Sequence, residues 1–421
     1  MMASRFSVAT EGKHAPASTT EAFLPFSAPW FGPEEKQELI KALESDWITT
    51  GPRVKALEVA FSDYLGCQES VAVSSCTAAL HLALAALGIG SQDAIITSPF
   101  TFAATANVIV HRGAQPVFVD IRPDTYNIDP QKVQAFIEER CEWNADERAL
   151  RIRTSQRRVR AIIPVHYAGH PCDMEALNQL ARQFGIKVIE DAAHALGASY
   201  RGQKVGTLGD VACFSFYPTK NITTGEGGML TTNDVALAQR VRVLSLHGIS
   251  RDAWRRYSQE GSWQYDVEDA GFKYNLTDLA AALGIHQLRK LDHFIRRRAQ
   301  LAAQYGEELA GLPLQRPTVL PDLQPAWHLY AVQVSSPHVT RNRLIEELKR
   351  RNIGTSVHFL PLHLTSYYQR AFGYKAGDFP VAEEVFRHIL SLPLFPRMWN
   401  EDLERVVRSL RESLTSLKST S

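Results

Sequence analysis

A lysine placed directly after a buried strand is the first group in this sequence whose position implies chemistry. Lys220 lies in VACFSFYPTKNITTGEGGML, residues 211–230. An apolar run (211–216) enters a Tyr-Pro-Thr turn, the lysine follows, and a glycine-rich bend at Gly225, Gly227 and Gly228 closes the unit. At the mouth of a buried strand an ammonium is desolvated, its pKa falls, and the neutral amine becomes a nucleophile suited to a Schiff base with an aldehyde. A second apolar strand, in KVIEDAAHALGASY (187–200), ends on Asp191. A carboxylate there would pair with the ring nitrogen of pyridoxal phosphate, and lysine with aspartate are that cofactor's usual protein partners. The bland alternatives are a surface lysine after a turn and an aspartate capping a helix that starts at Ala192.

These two runs, read with DWITTGPRVKALEVAFSDYLG (46–66), VSSCTAALHLALAALGIG (73–90), SPFTFAATAN (98–107), PVHYAGHPCDM (164–174), GFKYNLTDLAAALGIHQL (271–288) and SLPLFP (391–396), resemble the DegT-type sugar aminotransferases from about Pro25 to Leu410. The resemblance implies the aspartate aminotransferase fold (fold type I), with a large domain built on a mainly parallel, seven-stranded-type sheet and a smaller C-terminal α/β domain. It also implies an internal aldimine on Lys220, which then serves as general base and acid, and a homodimer with shared sites. Glutamate would be the amino donor and a keto nucleotide sugar the acceptor. The KYNLTD loop and the HF…H pattern look most like enzymes that make UDP-4-amino-4-deoxy-L-arabinose, so a 4-keto sugar is expected, with a 3-keto sugar as the alternative.

The resemblance also distributes roles. Asp191 would keep the pyridine nitrogen protonated, and His194 would contact the phenolic oxygen or flank the ring. The Ser75–Cys76–Thr77 turn reads as a strand end running into a helix N-terminus, where backbone N–H groups and the helix dipole favour a phosphate. A plain capped helix has the same pattern. Many relatives have glycine where this chain has Cys76, so its side chain must point away from the phosphate or the turn must differ. Ser215 is the second expected phosphate ligand. Phe102 would stack on the pyridine ring, or else fill core. Asn275 would reach the partner's phosphate. Thr50, Gly51, His166, His358 and His363 match places near the sugar, though each histidine could instead be structural.

These groups need a scaffold that gathers strand ends. Helical stretches (34–45, 53–65, 77–88, 102–112, 130–139, 173–184) separate short apolar runs (70–74, 94–97, 116–120, 161–165, 187–190, 211–216). That alternation predicts crossover units and a mainly parallel sheet, with ligands at the carboxyl ends of its strands. Expected domains are a flexible leader (1–23), a large cofactor-binding domain (24–275), a bridging helix (276–311) and a small C-terminal domain (312–421). Within the large domain, residues 140–160 carry seven arginines among acids and read as a solvated surface insertion.

With 421 residues, 45% hydrophobic and 22% charged, and a net charge of +1, the composition is that of an ordinary globular chain and points to no nucleic-acid or membrane surface. Five scattered cysteines without a CxxC pair argue against a disulfide framework or a metal site, and for a reducing, cytoplasmic setting. Two rival readings use the same scaffold. A sugar dehydratase would carry histidine in place of Lys220. A non-catalytic regulator would have lost Lys220 or Asp191, or gained a DNA-binding segment.

Overall fold

The computed structural model describes residues 22–249 and 265–419. The leader expected over 1–23 lies outside the described residues as far as residue 21. Helices α1 (Pro33–Glu44) and α2 (Pro52–Leu65) lead into β1 (Glu69–Val73), followed by α3 (Cys76–Ala86), β2 (Asp93–Thr97), α4 (Ala103–His111), β3 (Gln115–Phe118) and α5 (Pro130–Arg140). A hairpin of β4 (Cys141–Asn144) and β5 (Ala149–Ile152) precedes β6 (Arg158–Ile163), and α6 (Met174–Phe184) precedes β7 (Lys187–Asp191). Two short strands, β8 (Ser199–Tyr200) and β9 (Gln203–Lys204), lead to β10 (Val211–Ser215), β11 (Gly228–Thr232) and α7 (Val235–Ser245).

The main path of the large sheet runs β1-β11-β10-β7-β6-β2-β3. Strands β10, β7, β6, β2 and β3 are parallel, as the alternation requires. β11 is inserted antiparallel between β1 and β10. The Arg-rich segment is an ordered hairpin joined to β6 at the Arg151–Arg158 register. Its charges are locally matched: Arg151 meets Glu147, Arg153 lies 3.4 Å from Glu142, and Arg158 lies 2.9 Å from Asp93.

Alternation along the strands sets two faces. Val71, Val73, Ile189, Val211 and Cys213 pack under α3, α4 and α7 on one side. Ala72, Ala212, Phe214 and Met229 pack under α2 and the long helix α8 (Asp278–Glu308) on the other. α3 is almost wholly buried, which explains its run of alanine and leucine without a polar stripe. α8 starts on a Thr277 cap, whose hydroxyl accepts from Ala280 N–H at 3.2 Å.

Beyond α8 come β12 (Leu314–Gln315), β13 (Leu323–Gln324), β14 (Tyr330–Val334), α9 (Arg341–Arg350), α10 (Ser366–Phe372), α11 (Pro380–His388), β15 (Ile389–Leu392) and α12 (Asn400–Ser419). β12, β14 and β15 form a second sheet. Its core gathers Leu301 and Tyr305 of α8, residues of α9 and α12, and Leu24 from the other end of the described chain. Leu24 bridges to Ile353. Among the described residues no helix is long and apolar enough to cross a membrane.

Candidate active site

The last two residues of β7 point to opposite faces, and that divides the chemistry. Glu190 turns away from α3. It accepts from the N–H groups of Gly206, Leu208 and Gly209 at 3.2, 3.0 and 2.9 Å and from His166 Nε2 at 3.0 Å. Asp191 turns toward α3 and α4 and is 5% exposed. Its Oδ2 accepts from the Thr105 hydroxyl at 2.7 Å and its Oδ1 from Ala193 N–H at 3.2 Å. Burial pushes the Asp191 carboxyl up from its ordinary range, while the Thr105 hydroxyl, the Ala193 N–H and the Lys220 charge oppose that rise. No helix follows Asp191, so the capping role left open by the sequence is absent, and the Ala193 contact closes a short turn.

Lys220 follows β10 in a turn fixed by its own N–H donating to Tyr217 O at 2.9 Å. The side chain is half-buried. Burial draws its pKa down from 10.5 to about 8, against the opposing pull of Cys76 and Asp191. It is not the solvated surface lysine of the alternative reading. The Lys220 charge also acts on His194, His328 and His358, whose imidazoles burial already keeps neutral; His358 is held at about 4.

The helix that should face a phosphate begins beside these groups. Ser75 caps α3, its hydroxyl accepting from Ala78 N–H at 3.0 Å, which leaves the first-turn N–H groups at Cys76 and Thr77 without intrahelical partners. The Cys76 thiol points inward, donating to Cys213 O at 3.4 Å with Asp191 Oδ1 at 4.0 Å. The departure from glycine is thus absorbed by the core, and the outward face of the turn stays open. Ser215 ends β10 opposite Gly228. Gly228 in turn presses on the start of α3 so closely that a Cβ there would meet Ser75 C at 2.5 Å and Cys76 N at 2.6 Å. Only glycine allows that approach, and it brings Ser215 and the Ser75–Thr77 turn together.

Phe102 precedes α4 and is 65% exposed, so it is not the core phenylalanine of the alternative reading. Phe359 links it to the histidines, with ring centroids 6.2 Å from Phe102 and 5.8 Å from His194. His194 Nδ1 accepts from Ala168 N–H at 3.3 Å, which puts its proton on Nε2. His358 Nδ1 lies 2.9 Å from Ser391 Oγ. At the foot of α2, Asn275 Nδ2 donates to Thr50 Oγ1 at 2.6 Å, Thr50 donates to Leu276 O, and Gly51 starts the helix against the Trp47 ring. The backbone beside Asn275 is fastened to the end of β1, with Ser74 N–H donating to Tyr274 O at 2.7 Å.

Two expected sugar contacts are corrected. His166 and His363 have 0% exposure. His166 accepts from Cys172 N–H and faces Glu190 on the far side of β7, so both ring nitrogens are used. His363 faces Glu383 at 2.9 Å and packs on the Phe379 ring. Neither side chain is exposed in this structure, so neither lines an open sugar site. Sequence reading also missed three residues. Thr105 is three after Phe102, in the first turn of the helix that Phe102 precedes. The His328 ring lies 4.3 Å from that of His194, tilted against it. Its carbonyl and that of Trp327 accept from the buried Arg298 of α8. Phe359 sits between the two halves of the site.

The donor set fits pyridoxal phosphate. It offers a carboxylate held by two neutral donors, an amine partly neutral near pH 8, a helix start with free N–H groups, and an exposed aromatic ring. The comparisons agree. The model of the DegT/DnrJ/EryC1/StrS aminotransferase family matches residues 30–411. The chain is 50% identical over 395 residues to the uncharacterized protein MJ1066 of Methanocaldococcus jannaschii, covering 93% of this chain and 98% of that one. It is 48% identical to the spore coat polysaccharide biosynthesis protein SpsC of Bacillus subtilis, covering 93% and 97%. Spr1654 of Streptococcus pneumoniae, assigned as a sugar aminotransferase, superposes in its pyridoxal-phosphate form with a TM-score of 0.82 at 31% identity, over 94% of this chain and 99% of that one. The chain belongs to the DegT/DnrJ/EryC1/StrS aminotransferase family and is a pyridoxal-phosphate-dependent sugar aminotransferase.

Proposed function

We propose that the chain moves the amino group of glutamate to a 4-keto nucleotide sugar, using Lys220 as the covalent anchor and proton carrier. The observation that carries this reading is the meeting of a desolvated lysine and a buried, hydrogen-bonded aspartate beside an open helix N-terminus. When bound, the cofactor supplies an aldehyde carbon that carries the amino group and a ring that withdraws electrons. Lys220 Nζ would be the covalent anchor for that carbon and, when free of it, would hold and return the migrating proton. Asp191 keeps the ring nitrogen protonated. The N–H groups of Cys76 and Thr77, with the Ser75, Thr77 and Ser215 hydroxyls, hold the phosphate, and Phe102 covers one ring face. His194 would contact the phenolic oxygen through its Nε2–H. His358, Thr50 and Gly51 line the sugar side. The polysaccharide-biosynthesis role in the name of SpsC and the KYNLTD loop support a sugar precursor as acceptor.

The amine-loaded form is to be mixed with a panel of 3-keto and 4-keto nucleotide sugars while the return of the aldehyde form is followed by absorbance. A 4-keto sugar is expected to restore it fastest. Restoration by 3-keto sugars alone would overturn the choice of carbon, and restoration by none would overturn the acceptor class.

The active species is a homodimer in which Asn275 reaches the partner's phosphate. Ile40 and Leu43 on α1 and Ile48 beyond it are 54%, 61% and 52% exposed, an apolar group that a second copy would cover. Sedimentation at assay concentration is expected to show a dimer; an active monomer refutes this.

A further inference from the structure

We propose that Thr105, backed by Thr101, is a positioning residue that keeps the Asp191 carboxylate ionised and aimed at the cofactor's ring nitrogen. This rests on the role given to Asp191 above. Thr105 lies in the first turn of α4, with its hydroxyl 2.7 Å from Asp191 Oδ2 and 2.7 Å from Thr101 Oγ1. The two threonines are 1% and 2% exposed, so bulk water does not compete for these contacts. An ionised carboxylate can only accept, so Thr105 gives its single proton to Asp191 and accepts from Thr101. The charge on Asp191 therefore fixes the direction of the whole chain, Thr101 to Thr105 to Asp191. A protonated Asp191 would keep an acceptor oxygen but lose its charge, so the direction of the chain would no longer be fixed and the Thr105 bond would lose its charge assistance.

A charge-assisted bond in dry surroundings favours the ionised acceptor. That matters here because burial alone disfavours the charge, and the Thr105 bond is the foremost influence opposing it. The Ala193 N–H also donates to Asp191, on the other oxygen at 3.2 Å, and the remaining groups around the carboxylate supply little in the place of Thr105. The Cys76 thiol is directed to Cys213 O, and Cys213 and Cys172 are buried thiols held neutral. His166 is turned to Glu190, and Lys220 is committed to the chemistry itself. Thr105 also follows Phe102 by three residues, so one helix start presents a ring to the cofactor's face and steadies the carboxylate at its nitrogen.

The test reconstitutes full-length protein with pyridoxal phosphate isotope-labelled at the ring nitrogen and reads that nitrogen by NMR, beside the single-turnover rate with glutamate. In the parent the nitrogen is expected to be protonated. Thr105→Val, which keeps shape and removes the donor, should move the resonance toward the unprotonated position and slow the half-reaction on the order of tenfold. Thr105→Ser should restore both. Thr101→Val should move the resonance the same way by less. If Thr105→Val does not fold, Thr101→Val decides. Parent-like resonance and rate in whichever of these variants is folded overturn the proposal. If Asp191→Asn leaves the nitrogen protonated, the role of Asp191 itself fails and this inference falls with it, an outcome distinct from a shift in Asp191→Asn with none in Thr105→Val.

Discussion

Lys220→Ala will abolish amino transfer, lowering turnover by about ten-thousand-fold or more, because it removes the nucleophile and the proton carrier at once. Lys220→Arg should do nearly as much damage, since a guanidinium keeps the charge but does not give up its proton. The absorbance band of lysine-bound cofactor should vanish in both, while cofactor held only through its phosphate and ring remains dialysable. Turnover and spectrum of the purified variants check this; near-parent turnover with an intact band would end the assignment. A companion measurement uses the parent protein. Burial draws the lysine to about 8 from 10.5, so its neutral fraction grows as pH rises toward 8. The rate at which apoprotein captures the aldehyde should climb about tenfold per pH unit below 8 and level off above it. A climb continuing unbroken to pH 10 would show an unshifted lysine.

The second large effect is expected at Asp191. Asp191→Asn should leave cofactor bound and slow the glutamate half-reaction by about a hundredfold or more, the scale seen when one preorganised electrostatic partner of a developing charge is lost. Two influences compete in this variant. The amide cannot stabilise a protonated pyridine, which harms catalysis. Yet burial already works against the carboxylate charge, and the amide keeps both contacts if its oxygen accepts from Ala193 N–H and its NH2 donates to a reoriented Thr105 hydroxyl, so folding should not suffer. Single-turnover kinetics and thermal unfolding together separate the two. An unchanged rate would reduce Asp191 to a turn-forming residue, and a fall in rate matched by loss of fold would leave no case for an electronic role.

Much of this site was readable because strands alternate with helices, and their ends are marked by abrupt changes of residue type. KVIED ends an apolar run in a carboxylate, FSFYPTK ends another in an amine, and SSCT begins a helix with a cap. The tertiary partners were not readable in the same way. His166 and His194 look alike in sequence, but one faces Glu190 across β7 and the other faces Phe359 and His328, a distinction made by which side of the sheet each residue meets. His363 reads as polar and proves fully enclosed because Glu383 supplies a partner. The Arg-rich segment shows as charge, whereas its hairpin depends on pairing Cys141 with Ile152 and Asn144 with Ala149. Residues 228–232 give a weak strand signal ahead of their pairing, since the run is short and opens on glycine, although Thr231 and Thr232 favour extended backbone. Their extended form comes from two neighbouring strands at once.

That antiparallel strand has a consequence for biosynthesis. Among the described residues β11 is the one strand that pairs with β1, and Val73 meets Gly228. At ~5–20 residues per second the ribosome exposes β1 roughly 8–30 s before its partner emerges. Through that interval an apolar strand edge can be shielded only by α2 and α3. The phosphate cradle cannot close either, because its floor is Gly228. On the proposed phosphate role of the Ser75–Thr77 turn and Ser215, a nascent chain that has already made Asp191 and Ser215 is expected to hold no cofactor, so that pyridoxal phosphate would report completion of the sheet, though not its beginning.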